Sequence, residues 1–161
     1  MKCDRDLYDV TREIETNLSG PVRMIQQFLP HLKTRKNAAI VNVSSGLAFV
    51  PLPLSPVYSA IKAAIHSFSQ TLRVQLQGSG IKVIEFAPPG VETPLFRAEF
   101  EKEMAGQKGM DVKLLARLVL AGTEAGRDEI RPGLSNVLKI MSRLAPNFML
   151  NQFAKAGRSK S

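Results

Sequence analysis

The chain has 161 residues, 44% hydrophobic and 22% charged, with a formal net charge of +8. That length is enough for one domain with a buried core, and the composition excludes a disordered, collagenous or repeat protein. The single cysteine, Cys3, excludes an internal disulfide, and no apolar run reaches the roughly 18–20 residues needed to span a bilayer.

Residues 6–32 are predicted to be helical, because Ile14, Leu18, Val22, Ile25 and Leu29 recur at steps of three and four. Gly20-Pro21 strains the middle of that helix, and Pro30 loosens its last turn. Residues 38–43 then read as a short strand, apolar on both faces as parallel sheets require. Ser44-Ser45-Gly46 ends it, and Pro51, Pro53 and Pro56 break the loop that follows.

Residues 57–77 form the next helix, with Ile61, Ala64, Ile65, Phe68, Leu72 and Leu76 as its stripe, and Gly78-Ser79-Gly80 stops it. A second buried strand runs from 81 to 86 and opens into the loop 87–93. A short helix is expected over 96–104. Asp111 caps another through about 125, with Val112, Leu115, Leu118 and Val119 inside. A weak third strand is expected at 129–131 and a last helix over 135–144, after which Pro146 breaks or kinks the chain. Strands alternating with helices predict an α/β fold, a partial Rossmann-type parallel sheet flanked by helices. Residues 1–153 are read as one domain and 154–161 as a basic disordered tail.

Ligands of open α/β sheets bind beyond the carboxyl ends of the strands. Ser45 ends the first strand, the loop Pro88 to Thr93 ends the second, and Tyr58 and Lys62 lie on one face of the connecting helix. A free phenol, with a pKa of about 10, is too weak an acid to serve as a base near neutrality. A neighbouring ammonium favours the phenolate. Lowering the phenol by about three units takes roughly 4 kcal/mol, part of which Lys62 can supply. Ser45 then holds a substrate oxygen while Tyr58 exchanges its proton. Each piece alone has an ordinary reading, as a surface pair, a polar strand end or a tight turn. Their joint order carries the argument.

In that order the chain resembles the C-terminal two-thirds of a short-chain dehydrogenase/reductase. The stretch Ile40-Val-Asn-Val-Ser-Ser-Gly-Leu-Ala48 resembles the family's fifth strand and catalytic serine, and Tyr58-Ser-Ala-Ile-Lys62 its Tyr-x-x-x-Lys helix. Pro89-Gly-Val-Glu-Thr93 resembles its Pro-Gly loop, and Glu15-Thr-Asn17-Leu-Ser-Gly20 the helix with its catalytic asparagine. Phe49-Val-Pro-Leu-Pro53 and Glu92-Thr-Pro-Leu-Phe96 resemble a bacterial branch named after the D-alanyl-teichoic-acid locus. The resemblance implies an NAD- or NADP-dependent oxidoreductase moving hydride to or from a carbonyl or secondary alcohol. It implies Tyr58 as general acid/base and Lys62 as the group that lowers its pKa and holds the nicotinamide ribose. Ser45 would orient the substrate, and Asn17 would fix a water in a proton relay. Pro89, Gly90, Val91 and Thr93 would line the nicotinamide, and the helix over 96–104 would be a substrate lid.

The family's opening strand, Gly-rich turn and helix hold the cofactor pyrophosphate. No G-x-x-x-G-x-G occurs here, and Gly78-Ser79-Gly80 leads from helix into strand, the wrong context. The cofactor-binding N-terminal strands are therefore expected to be lacking, which leaves the strand at 38–43 with an unpaired apolar edge. Two readings follow: a dehydrogenase whose Gly-rich loop is encoded upstream of Met1, or a truncated, catalytically silent chain that acts through oligomerisation or partner binding. The opening segment MKCDRDLYDV has no apolar signal core, so a cytoplasmic setting and a homo-oligomer are expected.

Scattered lysine and arginine account for the positive charge. There is no run of five like charges and no aromatic interleaving, so no nucleic-acid partner is expected. Val137, Ile140, Met141, Leu144 and Phe148, with Lys139 and Arg143, read as a helix packed on the sheet or on another subunit rather than on a membrane. His31 and His66 read as packing or solvent residues, with no metal site. Glu85 and Glu92 read as strand and turn residues without a paired-carboxylate role.

Overall fold

The computed structural model describes residues 6–94, 96–97 and 108–158. The long first helix is interrupted where Gly20-Pro21 predicts strain. Helix α1 (Leu7–Ile14) passes into a π-helical turn at Glu15–Ser19, and α2 (Gly20–Leu32) follows. Pro21 has no N–H, so it cannot supply the amide that an α-helix directs at the carbonyl four residues back, that of Asn17. Strand β1 (Ala38–Val43) is followed by a 3₁₀ turn at Gly46–Ala48, then α3 (Pro56–Gln75) and β2 (Ile81–Phe86). The chain closes with α4 (Val112–Glu124), β3 (Glu129–Ile130), α5 (Leu134–Leu144) and α6 (Pro146–Arg158).

The strands form one parallel sheet in the order β1-β2-β3, with Ala38 opposite Ile81 and Glu85 opposite Glu129. Gly78 and Gly80, at φ +78° and +79°, make the reversal from α3 into β2 in a backbone region that other residues rarely enter. On one face of the sheet Ile40, Ile81 and Val83 pack with Leu72 and Leu76 of α3, backed by Ile25 and Leu29 of α2. On the other, Ile84, Phe86 and Ile130 meet Leu115 and Val119 of α4.

Four expectations need correction. The first strand is not buried on both faces. Ile40 and Asn42 are buried, but Val41 and Val43 are 37% and 51% exposed, and the packing described for α4 is on Ile84, Phe86 and Ile130 of β2 and β3. In α4, likewise, Val112 and Leu118 are exposed while Leu115 and Val119 pack. Helix α5 turns Ser135 and Leu138 inward against the Gly46–Ala48 turn, so the apolar side expected on the sheet or on another subunit does not pack on the sheet: Val137, Ile140 and Leu144, with Phe148 of α6, are exposed. Finally, residues 154–158 are helical where a disordered tail was expected, although the chain does break at Ala145, as expected of Pro146. Pro146 starts α6, where its missing N–H is harmless, and α6 runs past residue 153 to Arg158 through the good helix formers Ala154 and Lys155. The helix expected over 96–104 falls mostly outside the described residues.

Candidate active site

Tyr58 and Lys62 lie in the first two turns of α3. The Lys62 ammonium sits 5.4 Å from the centroid of the Tyr58 ring and donates to the Val43 carbonyl at 3.0 Å. Only 8% of Lys62 is exposed. Burial strips the ammonium of water and lowers its pKa from the ordinary lysine value.

Val43 is two residues before Ser45, so the same bond ties the helix to the end of the serine strand. Ser45, also 8% exposed, caps the 3₁₀ turn, and its Oγ accepts from the Leu47 amide at 3.2 Å. A hydroxyl that accepts in this way keeps its own proton to donate. Helix α5 presses on the turn from behind. A Cβ on Gly46 would lie 2.8 Å from Ser135 Oγ and 3.2 Å from Leu138 Cδ1, so the close approach requires glycine.

Asn17 lies in the π-helical turn, which packs on α3, and its Nδ2 donates to the Glu13 carbonyl at 3.2 Å. Asn17 and Lys62 line one cleft of about 340 Å³ together with Thr16, Asn42 and Val43. The loop after β2 joins the serine turn through a bond from the Gly46 amide to the Pro88 carbonyl at 2.9 Å. Beyond Pro89, the Gly90 carbonyl accepts from the Met110 amide at 2.8 Å, Val91 bridges Met110, and Thr93 Oγ1 accepts from the Phe96 amide at 3.1 Å. Glu92 grips Arg97 at 2.5 and 2.6 Å and the Gly109 amide at 2.9 Å. The Arg97 bonds, with that amide, hold its carboxyl below the usual carboxylate range. The structure therefore joins Lys62 to the Tyr58 ring, to the Asn17 cleft and, through Val43, to the strand that leads to Ser45. The bonds described for Gly90, Val91 and Thr93 run instead to Met110 and Phe96.

One cluster escaped the sequence. Glu85, 1% exposed in β2, accepts from Ser44 Oγ at 2.5 Å, and His66 Nδ1 lies 2.6 Å from its other oxygen. Burial alone would raise this carboxyl. The bonds from His66 and Ser44 outweigh burial and hold it below the usual range. The available signal was a glutamate between Ile84 and Phe86 in a strand read as buried, with a histidine four residues beyond Lys62 on the same helix face.

The nicotinamide half of a dinucleotide fits this donor set: a buried ammonium, a phenol, a hydroxyl at a strand end and a proline-glycine loop. The glycine pattern for the pyrophosphate half does not occur in this sequence.

The short chain dehydrogenase family matches residues 3–104. An uncharacterized oxidoreductase, DltE, from Bacillus subtilis is 46% identical over 129 residues, which are 80% of this chain and 51% of that protein. Sulfoacetaldehyde reductase 2 from Chromohalobacter salexigens is 42% identical over 91 residues, 56% of this chain and 36% of that protein. The crystal structure of a short chain dehydrogenase from Burkholderia cenocepacia in complex with NADP superposes with a TM-score of 0.81 at 27% identity, covering 92% of this chain and 60% of that one. The chain thus spans about half the length of its Bacillus relative.

Proposed function

Because the chain belongs to the short-chain dehydrogenase family, we propose that it carries the proton-handling part of an NAD(P)-dependent oxidoreductase acting on a small carbonyl or secondary alcohol. Three separate supports converge on this: the family match, the NADP complex of a structural relative, and the site itself. The observation that carries the reading is the buried Lys62 ammonium, set against the Tyr58 ring while bonded to the strand that ends in Ser45.

The roles follow from chemistry. Tyr58 exchanges a proton with the substrate oxygen, and the positive charge of Lys62 stabilises the phenolate left behind. Ser45, held by the Leu47 amide, donates to the same oxygen. Asn17, in the cleft that Lys62 lines, holds the water through which a proton returns to solvent. Tyr58, Lys62, Pro89, Gly90, Val91 and Thr93 would hold the nicotinamide and its ribose; when bound, the nicotinamide supplies or accepts the hydride. The protein is read as cytoplasmic and homo-oligomeric.

The test is reduction of a panel of ketones with NADPH and with NADH, on the protein as its gene encodes it, beside a Tyr58→Phe control. Turnover lost in the control supports the reading; turnover retained at full rate rejects it. A second reading, association without catalysis, draws on the exposed Val41 and Val43 in β1, an edge strand among the described residues. It requires that neither NADPH nor NADH binds and that light scattering reports a stable oligomer.

A further inference from the structure

Glu85 has no part in the proton transfer just described, yet it is among the most buried side chains of the molecule. An ionised carboxylate costs several kcal/mol to bury unless partners compensate it. Its partners lead to α3. Tyr58, Lys62, His66, Ser69 and Arg73 follow one another at steps of four, four, three and four, a single stripe of the helix.

Four of these side chains are bonded to the sheet. Lys62 donates to the Val43 carbonyl at 3.0 Å, and His66 Nδ1 meets Glu85 Oε2 at 2.6 Å. Ser69 Oγ accepts from Asn42 Nδ2 at 3.0 Å, and Arg73 Nε donates to the Val83 carbonyl at 2.9 Å. The partners alternate between β1 and β2. Apolar packing is non-directional and sets no register by itself, whereas a row of hydrogen bonds does so through its angular preference. Arg73 also reaches the Asp128 carbonyl at 2.7 Å, while the second arm of Glu85 goes to Ser44, the residue before Ser45.

We propose that Glu85 is the positioning carboxylate of this site: it bonds the strand end that presents Ser45 to the helix face that presents Tyr58 and Lys62, and so fixes the distance between them. The catalytic consequence rests on the function proposed above; the link itself does not. The groups facing Glu85 are those a fixed anion needs. His66 comes from α3 and Ser44 from the end of β1. From α5 comes Lys139, whose ammonium also meets Glu129 and lies 5.3 Å from the centroid of the Phe49 ring. Glu129 and Arg131 pair with each other beside β3, and the Phe49 ring stands edge-on to His66 at 5.1 Å. With its carboxyl held below the usual range, Glu85 stays ionised at neutral pH, and the link is permanent rather than switched.

The experiment uses nuclear magnetic resonance first and kinetics second. The sequence has two histidines and two tyrosines, so His31→Gln and Tyr8→Phe leave one of each to observe. The expected result in the parent is a slowly exchanging His66 Nδ1–H signal. Glu85→Gln should shift it and also displace the Tyr58 ring signals. Unmoved His66 and Tyr58 signals overturn the proposal. Where Glu85→Gln does not fold, Ser44→Ala replaces it with the same spectral criteria, and His66→Asn is read by the Tyr58 ring signals alone. In the turnover assay each of these should lower kcat about 10- to 100-fold with little change in KM, the pattern of a misplaced rather than a missing group. Unchanged kcat in Glu85→Gln, or in Ser44→Ala and His66→Asn where they replace it, overturns the proposal. A parent protein without any turnover rejects the proposed function instead and leaves the spectra to decide the link.

Discussion

On one face of β1, Ile40 and Asn42 are buried under α2 and α3, and Ser44 is buried just beyond the strand's end; on the other, Val41 and Val43 are 37% and 51% exposed. The usual rule, apolar inward and polar outward, is reversed for four of these five residues. The difference shows what each face is for. Under the helices, polar atoms are tolerated because each has a partner, Asn42 in Ser69 and Ser44 in Glu85, and those bonds hold the site in register. On the open face two valines offer nothing directional.

The largest expected effect lies on the covered face. Tyr58→Phe removes the proposed proton donor and leaves the ring against Lys62, so turnover should fall about 10²–10⁴-fold with stability nearly unchanged. Steady-state rates beside a urea titration check both halves of that statement. Next comes a contrast between neighbours. Ile40→Ala, in the covered core, should cost about 2–5 kcal/mol in urea unfolding, whereas Val41→Ala, one residue on, should cost far less, on the order of 0.5 kcal/mol. Equal losses would mean that the open face is covered in solution.

How much of this was legible beforehand also divides by face. The sheet, the helices and the Tyr58–Lys62–Ser45 grouping follow from local signals: period, caps, and motif order. The exposure of Val41 and Val43 does not, because a run such as Ala38–Val43 states only that the strand is apolar, and what lies over it is a property of distant segments. Glu85 was illegible for a related reason. A glutamate in a strand reads as a solvent-facing residue until its position opposite Asn42 and under His66 is known, and those pairings span 43 and 19 positions. Whether Val137, Ile140 and Leu144 face the sheet or another subunit was not legible, because apolar periodicity marks a face but not its direction. Burial went instead to Ser135 and Leu138, small and well-shaped enough to approach Gly46.

That approach supplies the third prediction. Gly46→Ala sets a methyl 2.8 Å from Ser135 Oγ and should cost about 1–3 kcal/mol, by the mechanism of overpacking. Because Gly46 follows Ser45, the variant should also lower turnover, and Gly46→Ala combined with Ser135→Gly should recover part of both. The fourth concerns acid. A carboxyl held below its ordinary value adds stability that is complete above the unfolded-state pKa of about 4.3 and is lost as pH falls through the lower folded value. Urea midpoints of the parent should therefore drop below about pH 4.3 more steeply than those of Glu85→Gln; identical acid limbs would show that the fold does not hold the Glu85 carboxyl below its unfolded value.

The smallest expected effect on stability is on the open face, and it bears most directly on what that face meets. Val43→Thr keeps the β-branched shape that a strand favours and changes one methyl to a hydroxyl at a half-exposed site, so the folded chain should move by no more than about 0.5 kcal/mol. If the valines meet solvent alone, Val41→Thr with Val43→Thr will leave the hydrodynamic size unchanged. If they form a docking surface, in a strand at the sheet edge among the described residues, the same pair of changes will weaken association by more than it alters folding. Light scattering across a dilution series separates the two, and it does so without any assay of turnover.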